Sequence, residues 1–176
     1  MPECIEGYYI ESAEGLLFAV KGAVHPPEVV TAYMRYVPDP KGERRRGRRR
    51  YRRLYGFEEQ EQLLRENCPA CLFFDPVFGE RLQGLPRDHI VRYYDPCLKL
   101  ACLRENKSRG GLGALEEKAV DFAVLLAERS GVLIRSIGIS GSILVDLHTP
   151  DSDIDLVVYG SENCLGGTEG PVGPAD

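Results

Sequence analysis

Two aspartates at alternate positions of an apolar run are the side chains in this sequence best placed to do chemistry. Asp153 and Asp155 follow the turn residues TPDS, with Ile154 between them. Residues two apart in an extended chain project from the same face, so we expect the two carboxylates side by side. Such anions repel each other, and oxygen ligands favour a hard cation, so the pair predicts a site for Mg²⁺ (or Mn²⁺). The ordinary alternative is a strand end whose acids only face water.

A Gly-Ser pair upstream of the aspartates offers the complementary chemistry. Gly141 permits close approach of the backbone, and the Ser142 hydroxyl can donate a hydrogen bond. The first N–H groups of a helix that begins here can point towards an anion. A phosphate-binding turn beside a metal-binding pair is the pattern expected of a nucleoside triphosphate site.

From residue 114 onward, the sequence predicts the secondary-structure elements that position these residues. The stretch ALEEKAVDFAVLLAERSG carries apolar residues at helical spacing and ends at Gly131, and VLIRSIGIS is rich in β-branched residues. GSILVDLH predicts a short helix, TPDS a turn and DIDLVVY a second strand. The expected order is helix, strand, short helix, strand.

The first third of the chain predicts β-structure. EGYYIES, GLLFAVKGA and VVTAYMRYV are aromatic and β-branched runs between turn residues, which suggests an antiparallel meander. DPKGERRRGRR then predicts an exposed loop, and GFEEQEQLLREN and PCLKLACLREN predict helices. We therefore predict an α+β fold with an N-terminal β-rich lobe carrying a basic loop (1–106), a linker (107–113), an α/β core (114–160) and a flexible tail (161–176).

The net charge of -5 hides an uneven distribution of arginine. Of the 22 Lys and Arg residues, eight are arginines between positions 44 and 53, which leaves 14 against 27 acidic residues elsewhere. A dense arginine patch on an acidic body predicts local binding of a polyanion such as RNA, since guanidinium groups pair well with phosphates. A mobile, solvated loop is an equally good interpretation. The candidate polyanion-binding residues are Arg44, Arg45, Arg46, Arg48, Arg49 and Arg50.

The remaining composition points to a cytoplasmic protein. No apolar run is long enough to span a membrane, and the N-terminus does not resemble a secretory signal. Six cysteines, including the CxxC of Cys68 and Cys71, then predict buried free thiols in preference to a zinc site or a disulfide.

Gly141-Ser142, ten intervening residues and Asp153-Ile154-Asp155 together resemble the signature of the DNA polymerase β-like nucleotidyltransferase superfamily. The whole chain is similar to archaeal predicted nucleotidyltransferases. The resemblance implies a polymerase β-like α/β lobe in which Gly141 and Ser142 hold the phosphates of a nucleoside triphosphate such as ATP. It also implies that Asp153 and Asp155 are the catalytic, metal-binding pair of a DxD motif.

Two features depart from the family pattern. Minimal members carry an Arg-Gly pair in the short helix, where this chain has Val145 and Asp146. The family also places a third carboxylate on a later strand, whereas the sequence after Gly160 is rich in glycine and proline, and Glu162 and Glu169 are poor substitutes. We therefore expect a partial, C-terminally truncated lobe, whose site a second copy or a partner subunit could complete.

These observations predict a metal-dependent transferase. It would move a nucleoside monophosphate from a nucleoside triphosphate to a hydroxyl on RNA, protein or a small molecule, with release of pyrophosphate. The alternative is a non-catalytic nucleotide- or RNA-binding protein built on a degenerate nucleotidyltransferase fold.

Overall fold

The computed structural model of the protein describes residues 4–160. The predicted tail, residues 161–176, lies outside this range together with Glu162 and Glu169. Within the range, no helix is both long and apolar enough to cross a membrane.

The predicted antiparallel meander is present and forms the centre of a larger sheet. Strands β1 (Tyr9–Ser12), β2 (Leu17–Val20) and β3 (Val29–Pro38) pair in chain order, each antiparallel to the next. A later strand, β8 (Ile90–Tyr94), pairs with the other edge of β1. Both faces of this sheet are covered, because β3 contributes Met34 to one hydrophobic core and Tyr36 to another.

The arginine-rich segment is a β-hairpin, so the predicted exposed loop is wrong. Strands β4 (Arg44–Arg46) and β5 (Arg49–Arg53) pair with each other, and β5 also pairs with the end of β3. The sheet tolerates these charges because it supplies partners for them. Arg46 donates to the Glu11 carboxylate at 2.5 Å and to the Tyr94 hydroxyl at 2.7 Å.

The first hydrophobic core lies between one face of the sheet and α1 (Phe57–Asn67), the predicted acidic helix. A second hairpin, β6 (Leu72–Asp75) and β7 (Glu80–Pro86), joins the sheet where β7 pairs with the start of β3. The buried side chains of this core include Ile10, Phe18, Val30, Met34, Leu64 and Leu85.

The cysteines after α1 do not match their prediction. Cys68 and Cys71 are disulfide-bonded, with their Cα atoms 5.5 Å apart, a spacing that allows a bridge. The expectation of free thiols is therefore wrong for this pair. Cys4, Cys97 and Cys102 are free.

The remainder of the described chain follows the predicted order of elements. Helices α2 (Pro96–Ser108) and α3 (Ala114–Ser130) precede β9 (Ile137–Ile139), the short helix α4 (Gly141–Leu144) and β10 (Leu156–Val158). The two strands pair antiparallel and are shorter than the sequence predicts. Their core includes Leu100, Leu103, Ala119, Val120, Ala123, Ile137, Ile139 and Ile143.

Helix α2 packs with this second half of the molecule. The Asp95 carboxylate caps its first turn by accepting from the Cys97 and Leu98 N–H groups. A Cβ on Gly138 of β9 would lie 2.5 Å from the Pro96 Cβ, so only glycine lets helix and strand approach this closely. The predicted boundary assigned α2 to the N-terminal lobe, and that division of the chain stays a prediction.

A second hydrophobic core joins the two halves. The face of the sheet opposite α1 contributes Tyr9, Leu17, Tyr36, Tyr51 and Tyr94. The short helix α4 and the residues that follow it contribute Leu144, Val145 and Leu147. The segment that carries the Gly-Ser pair therefore packs directly on the aromatic face of the sheet.

Candidate functional site

The two predicted aspartates lie in the extended segment just before β10. Asp153 and Asp155 are exposed, whereas Ile154 is half-buried and packs against the core of the second half. The alternation expected from the sequence is therefore present, although regular pairing begins only at Leu156. The Asp155 carbonyl accepts from the Ser140 N–H at 2.8 Å, which ties the segment to the end of β9.

Gly141 lies in contact with the carboxylate of Asp155. Its φ angle is +62°, and a Cβ at this position would lie 2.8 Å from the Asp155 Cγ and still closer to Oδ2. Both the backbone conformation and the close approach therefore require glycine. The Gly-Ser pair predicted from sequence is positioned against the DxD motif by direct packing.

A cavity of about 400 Å³ brings the four predicted residues together. Gly141 and Ser142 line it beside Asp153 and Asp155. The size is within the usual range for a small-molecule site, about 300–1,000 Å³. We call this side of the cavity the acidic wall.

The N-terminal sheet supplies another part of the cavity lining, whose place in the site was not foreseen from sequence. We call it the basic wall. Its cations stand apart from one another in the sequence. Arg53 ends the arginine-rich segment, whereas no local pattern marks Lys21 or Arg35. Its residues are Lys21, Arg35 and Arg53, with the aromatic rings of Tyr9, Tyr33 and Tyr36.

A β-bulge in β3 directs Arg35 into the cavity. Leu17 and Phe18 of β2 pair with Tyr36 and Met34, so Arg35 is the extra residue of the longer strand. Met34 belongs to the first core and Tyr36 to the second, so the alternation of faces breaks here. A bulge commonly changes the direction of a side chain in this way.

Arg53 reaches the cavity from β5, where it is the cross-strand partner of Tyr36. Its guanidinium lies over the Tyr55 ring, 4.9 Å from the centroid. The Arg53 Nε is buried and has no hydrogen-bond partner among residues 4–160. A buried donor without a partner is costly, so this atom marks a place where an acceptor would be favourable.

Burial changes the ionisation of the tyrosines in the cavity. It raises the pKa of Tyr9 to about 12, although the nearby Arg35 guanidinium opposes the rise. It also raises the pKa of Tyr36, again against the charges of neighbouring arginines. Both phenols are therefore neutral near pH 7 and can act as hydrogen-bond donors.

The N-terminal segment holds the edge of the cavity against the second half of the molecule. Glu6 forms an ion pair with Lys21 at 2.9 Å, and the hydrogen bond from Lys21 lowers the pKa of that carboxyl. The Ser140 hydroxyl donates to the Gly7 carbonyl at 2.6 Å. The Tyr159 hydroxyl donates to the Glu6 carbonyl at 3.0 Å.

The six candidate arginines of the hairpin divide into two sets, and none of the six lines the cavity. Arg44 and Arg46 point inward: Arg44 donates to the Leu147 carbonyl at 2.7 Å and to the Ser152 hydroxyl at 3.2 Å, and so supports the loop before Asp153. The other set lines a separate depression beside Pro38–Pro40 and comprises Arg45, Arg48, Arg49 and Arg50.

The donor set of the acidic wall suits a divalent cation that also binds phosphate. Among residues 4–160 no group of three or more His, Cys, Asp or Glu side chains is arranged to hold a metal. Mg²⁺, however, is usually held by one or two carboxylates together with water and substrate phosphates. Asp153 and Asp155 meet that requirement when a nucleotide supplies the other ligands.

Comparison with known proteins identifies the class to which this site belongs. Residues 120–164 of the 176 match the nucleotidyltransferase domain family. The resemblance inferred from the Gly-Ser pair and the DxD motif is thereby confirmed. The matched segment contains the acidic wall but none of the basic wall.

A relative in an archaeon extends the similarity to most of the chain. The chain is 32% identical over 162 residues to MJ1086, an uncharacterized protein of Methanocaldococcus jannaschii. The similarity covers 88% of this chain and 47% of the relative, so the chain spans about half the length of that protein. No solved structure matches the chain.

Proposed function

We propose that this protein transfers a nucleoside monophosphate from a nucleoside triphosphate to a hydroxyl acceptor and releases pyrophosphate. The observation that carries the proposal is the packing of the Asp155 carboxylate against Gly141, which brings the DxD motif and the Gly-Ser pair into one cavity. The match of residues 120–164 to the nucleotidyltransferase domain family supports the same proposal.

In the proposed reaction, an acceptor hydroxyl oxygen attacks the α-phosphorus. A bond forms between that oxygen and phosphorus, the bond from the α-phosphorus to the oxygen that bridges to the β-phosphate breaks, and pyrophosphate leaves. The hydroxyl proton passes to solvent or to a neighbouring carboxylate. Gly141 and Ser142 would hold the terminal phosphates, and Asp153 and Asp155 would hold Mg²⁺, which stabilises charge on the attacking and leaving oxygens.

The test is pyrophosphate release from each of the four ribonucleoside triphosphates, with Mg²⁺ or Mn²⁺ and pooled cellular RNA. We expect release by the wild type and its loss in Asp153→Asn/Asp155→Asn, which keeps the side-chain shape but removes the charge. Asp151→Asn is the matched control, because Asp151 is an exposed aspartate two residues earlier that does not line the cavity. Equal loss in the control, or no release by the wild type with any nucleotide, would overturn the proposal.

A second candidate is a nucleotide-binding protein without turnover. It is favoured because no group of three or more His, Cys, Asp or Glu side chains among residues 4–160 is arranged to hold a metal, and Glu6, the third carboxylate of the cavity lining, is paired with Lys21. Metal-dependent nucleotide binding that Asp153→Asn/Asp155→Asn abolishes, without pyrophosphate release from the wild type, would support this candidate over the first.

RNA is the acceptor to test first because Arg45, Arg48, Arg49 and Arg50 form a basic depression on the hairpin. Binding of RNA there would weaken steeply with salt, since counterions are released from the phosphates. Neutralising these four arginines should then reduce RNA affinity while nucleotide binding in the cavity stays unchanged.

A further inference from the structure

The basic wall supplies positive charge that can offset repulsion between the two aspartates of the acidic wall and a bound triphosphate. A triphosphate that approaches Asp153 and Asp155 meets two negative charges, so positive groups elsewhere in the cavity must offset the repulsion. Lys21, Arg35 and Arg53 line the same cavity. Lys21 is already paired with Glu6, whereas the two arginines are directed inward from the sheet.

Two independent features indicate that the arginines face a ligand. The Arg53 Nε is buried without a hydrogen-bond partner among the described residues, which a bound oxyanion would correct. Arg35 occupies the extra position of the β3 bulge, an irregularity that turns its side chain to the cavity next to Tyr36.

We propose that Arg35 and Arg53 bind the triphosphate of the nucleotide in the cavity that they share with Gly141-Ser142. This inference rests on the proposed function and deepens it, because it makes the N-terminal sheet part of the nucleotide site. A guanidinium presents a planar fork of N–H donors that matches two phosphate oxygens at once. The metal-binding pair and the arginines then hold the triphosphate between them.

The experiment measures binding of inorganic tripolyphosphate by calorimetry, at low salt and in the presence of EDTA. Removing divalent ions separates the contribution of the arginines from that of the aspartates. We expect the wild type to bind, and Arg35→Gln/Arg53→Gln to bind about tenfold more weakly or worse, because charge-assisted hydrogen bonds are lost. Arg104→Gln/Arg129→Gln is the matched control, since it removes the same charge from exposed helix positions that line neither the cavity nor the hairpin depression.

The aspartate variant makes the two proposals separable. Asp153→Asn/Asp155→Asn should bind tripolyphosphate in EDTA at least as tightly as the wild type, because repulsion is removed. Arginine-dependent tripolyphosphate binding without pyrophosphate release would support this inference and reject the proposed reaction. Pyrophosphate release by the wild type, together with unchanged tripolyphosphate binding in Arg35→Gln/Arg53→Gln, would support the proposed reaction and reject this inference.

A chemical measurement on the wild type covers the case in which the glutamine variant does not fold. Phenylglyoxal modifies arginine, and mass spectrometry locates the modified positions. Tripolyphosphate should protect Arg35 and Arg53 while the exposed Arg104 and Arg129 stay reactive. Equal protection at all four positions, no binding by the wild type in EDTA, or protection by a single-stranded oligonucleotide but not by tripolyphosphate would overturn the inference.

Discussion

The acidic and basic walls of the cavity are built in opposite ways. The acidic wall comes from one short segment in which Gly141 and Asp155 are separated by 13 intervening positions and meet by local packing. The basic wall comes from three strands, and its arginines become neighbours only through the cross-strand register and a bulge. Sequence patterns can therefore predict the wall whose residues are close in the chain, but not the wall whose residues are brought together by strand pairing.

Substitution of Gly141 should have the largest effect, because it acts on the acidic wall directly. In Gly141→Ala the new Cβ overlaps Asp155 and the φ of +62° becomes unfavourable. A displacement of about 1 Å in a reacting group can cost about 100-fold in rate, so we expect a loss of at least that size in pyrophosphate release. Gly131→Ala is the control: its φ is +74° but no atom lies within 4 Å of the new Cβ.

The comparison with Gly131 separates backbone strain from displacement of the carboxylate. Gly131→Ala should lower the free energy of unfolding by about 1 kcal/mol and leave the catalytic rate unchanged. If both variants lose the same activity, strain alone explains the result and the contact with Asp155 has no special role.

The hairpin that supports the basic wall should lose stability when Arg46 is replaced, whereas replacement of Arg45 should leave the free energy of unfolding unchanged. Arg46 is hydrogen-bonded to Glu11, Tyr94 and Tyr51 on the inner face of the hairpin. Arg46→Met leaves the largely buried Glu11 carboxylate without its cation, and we expect a loss of about 2 kcal/mol in the free energy of unfolding, reduced from the fully buried case by partial exposure.

Urea denaturation measures this difference. Arg45→Met is the control, because Arg45 is exposed and its side chain donates only to the neighbouring Gly47 carbonyl among the hydrogen bonds of the hairpin. Equal stability of Arg46→Met and the wild type would show that the buried network does not hold the hairpin.

The smallest effect is a pH dependence at the aromatic face of the sheet. Burial raises the pKa of Tyr9 and of Tyr94 to about 12, whereas the pKa of a tyrosine in the unfolded chain is about 10. The unfolded chain therefore loses these protons at lower pH, and stability should fall as pH rises from about 10 to about 12. The urea midpoint should fall less steeply with pH in Tyr9→Phe than in the wild type. Tyr55→Phe changes an exposed ring and should show the same pH dependence as the wild type.

The sequence predicted the elements whose signals are local. The order of α3, β9, α4 and β10, the antiparallel meander and the packing of Gly141 beside the DxD motif all depend on residues close in the chain. The strands β9 and β10 came out shorter than predicted, because β-branched composition does not determine how many residues find a hydrogen-bonded partner.

What could not be predicted depends on partners distant in the chain. The arginine-rich segment suggests a solvated loop, but Glu11 and Tyr94 lie 35 and 48 positions from Arg46 and convert it into a strand. The role of Arg35 depends on the pairing register of β2 and β3. A shift of the register by one residue would turn the Arg35 side chain to the other face of the sheet. Charge density in the sequence therefore marked Arg53, as the last residue of the arginine-rich segment, but not Arg35.

The hydrogen bonds at the edge of the cavity have a consequence for the order of folding. Ser140 and Gly7 are 133 positions apart, and Tyr159 and Glu6 are 153 positions apart. Contacts of such long sequence separation are slow to form, because the entropy of closing the loop is lost before the contact is gained. The sheets and helices of residues 4–160 can be in place while the cavity is still open, so phosphate binding should be the last native property to return during refolding.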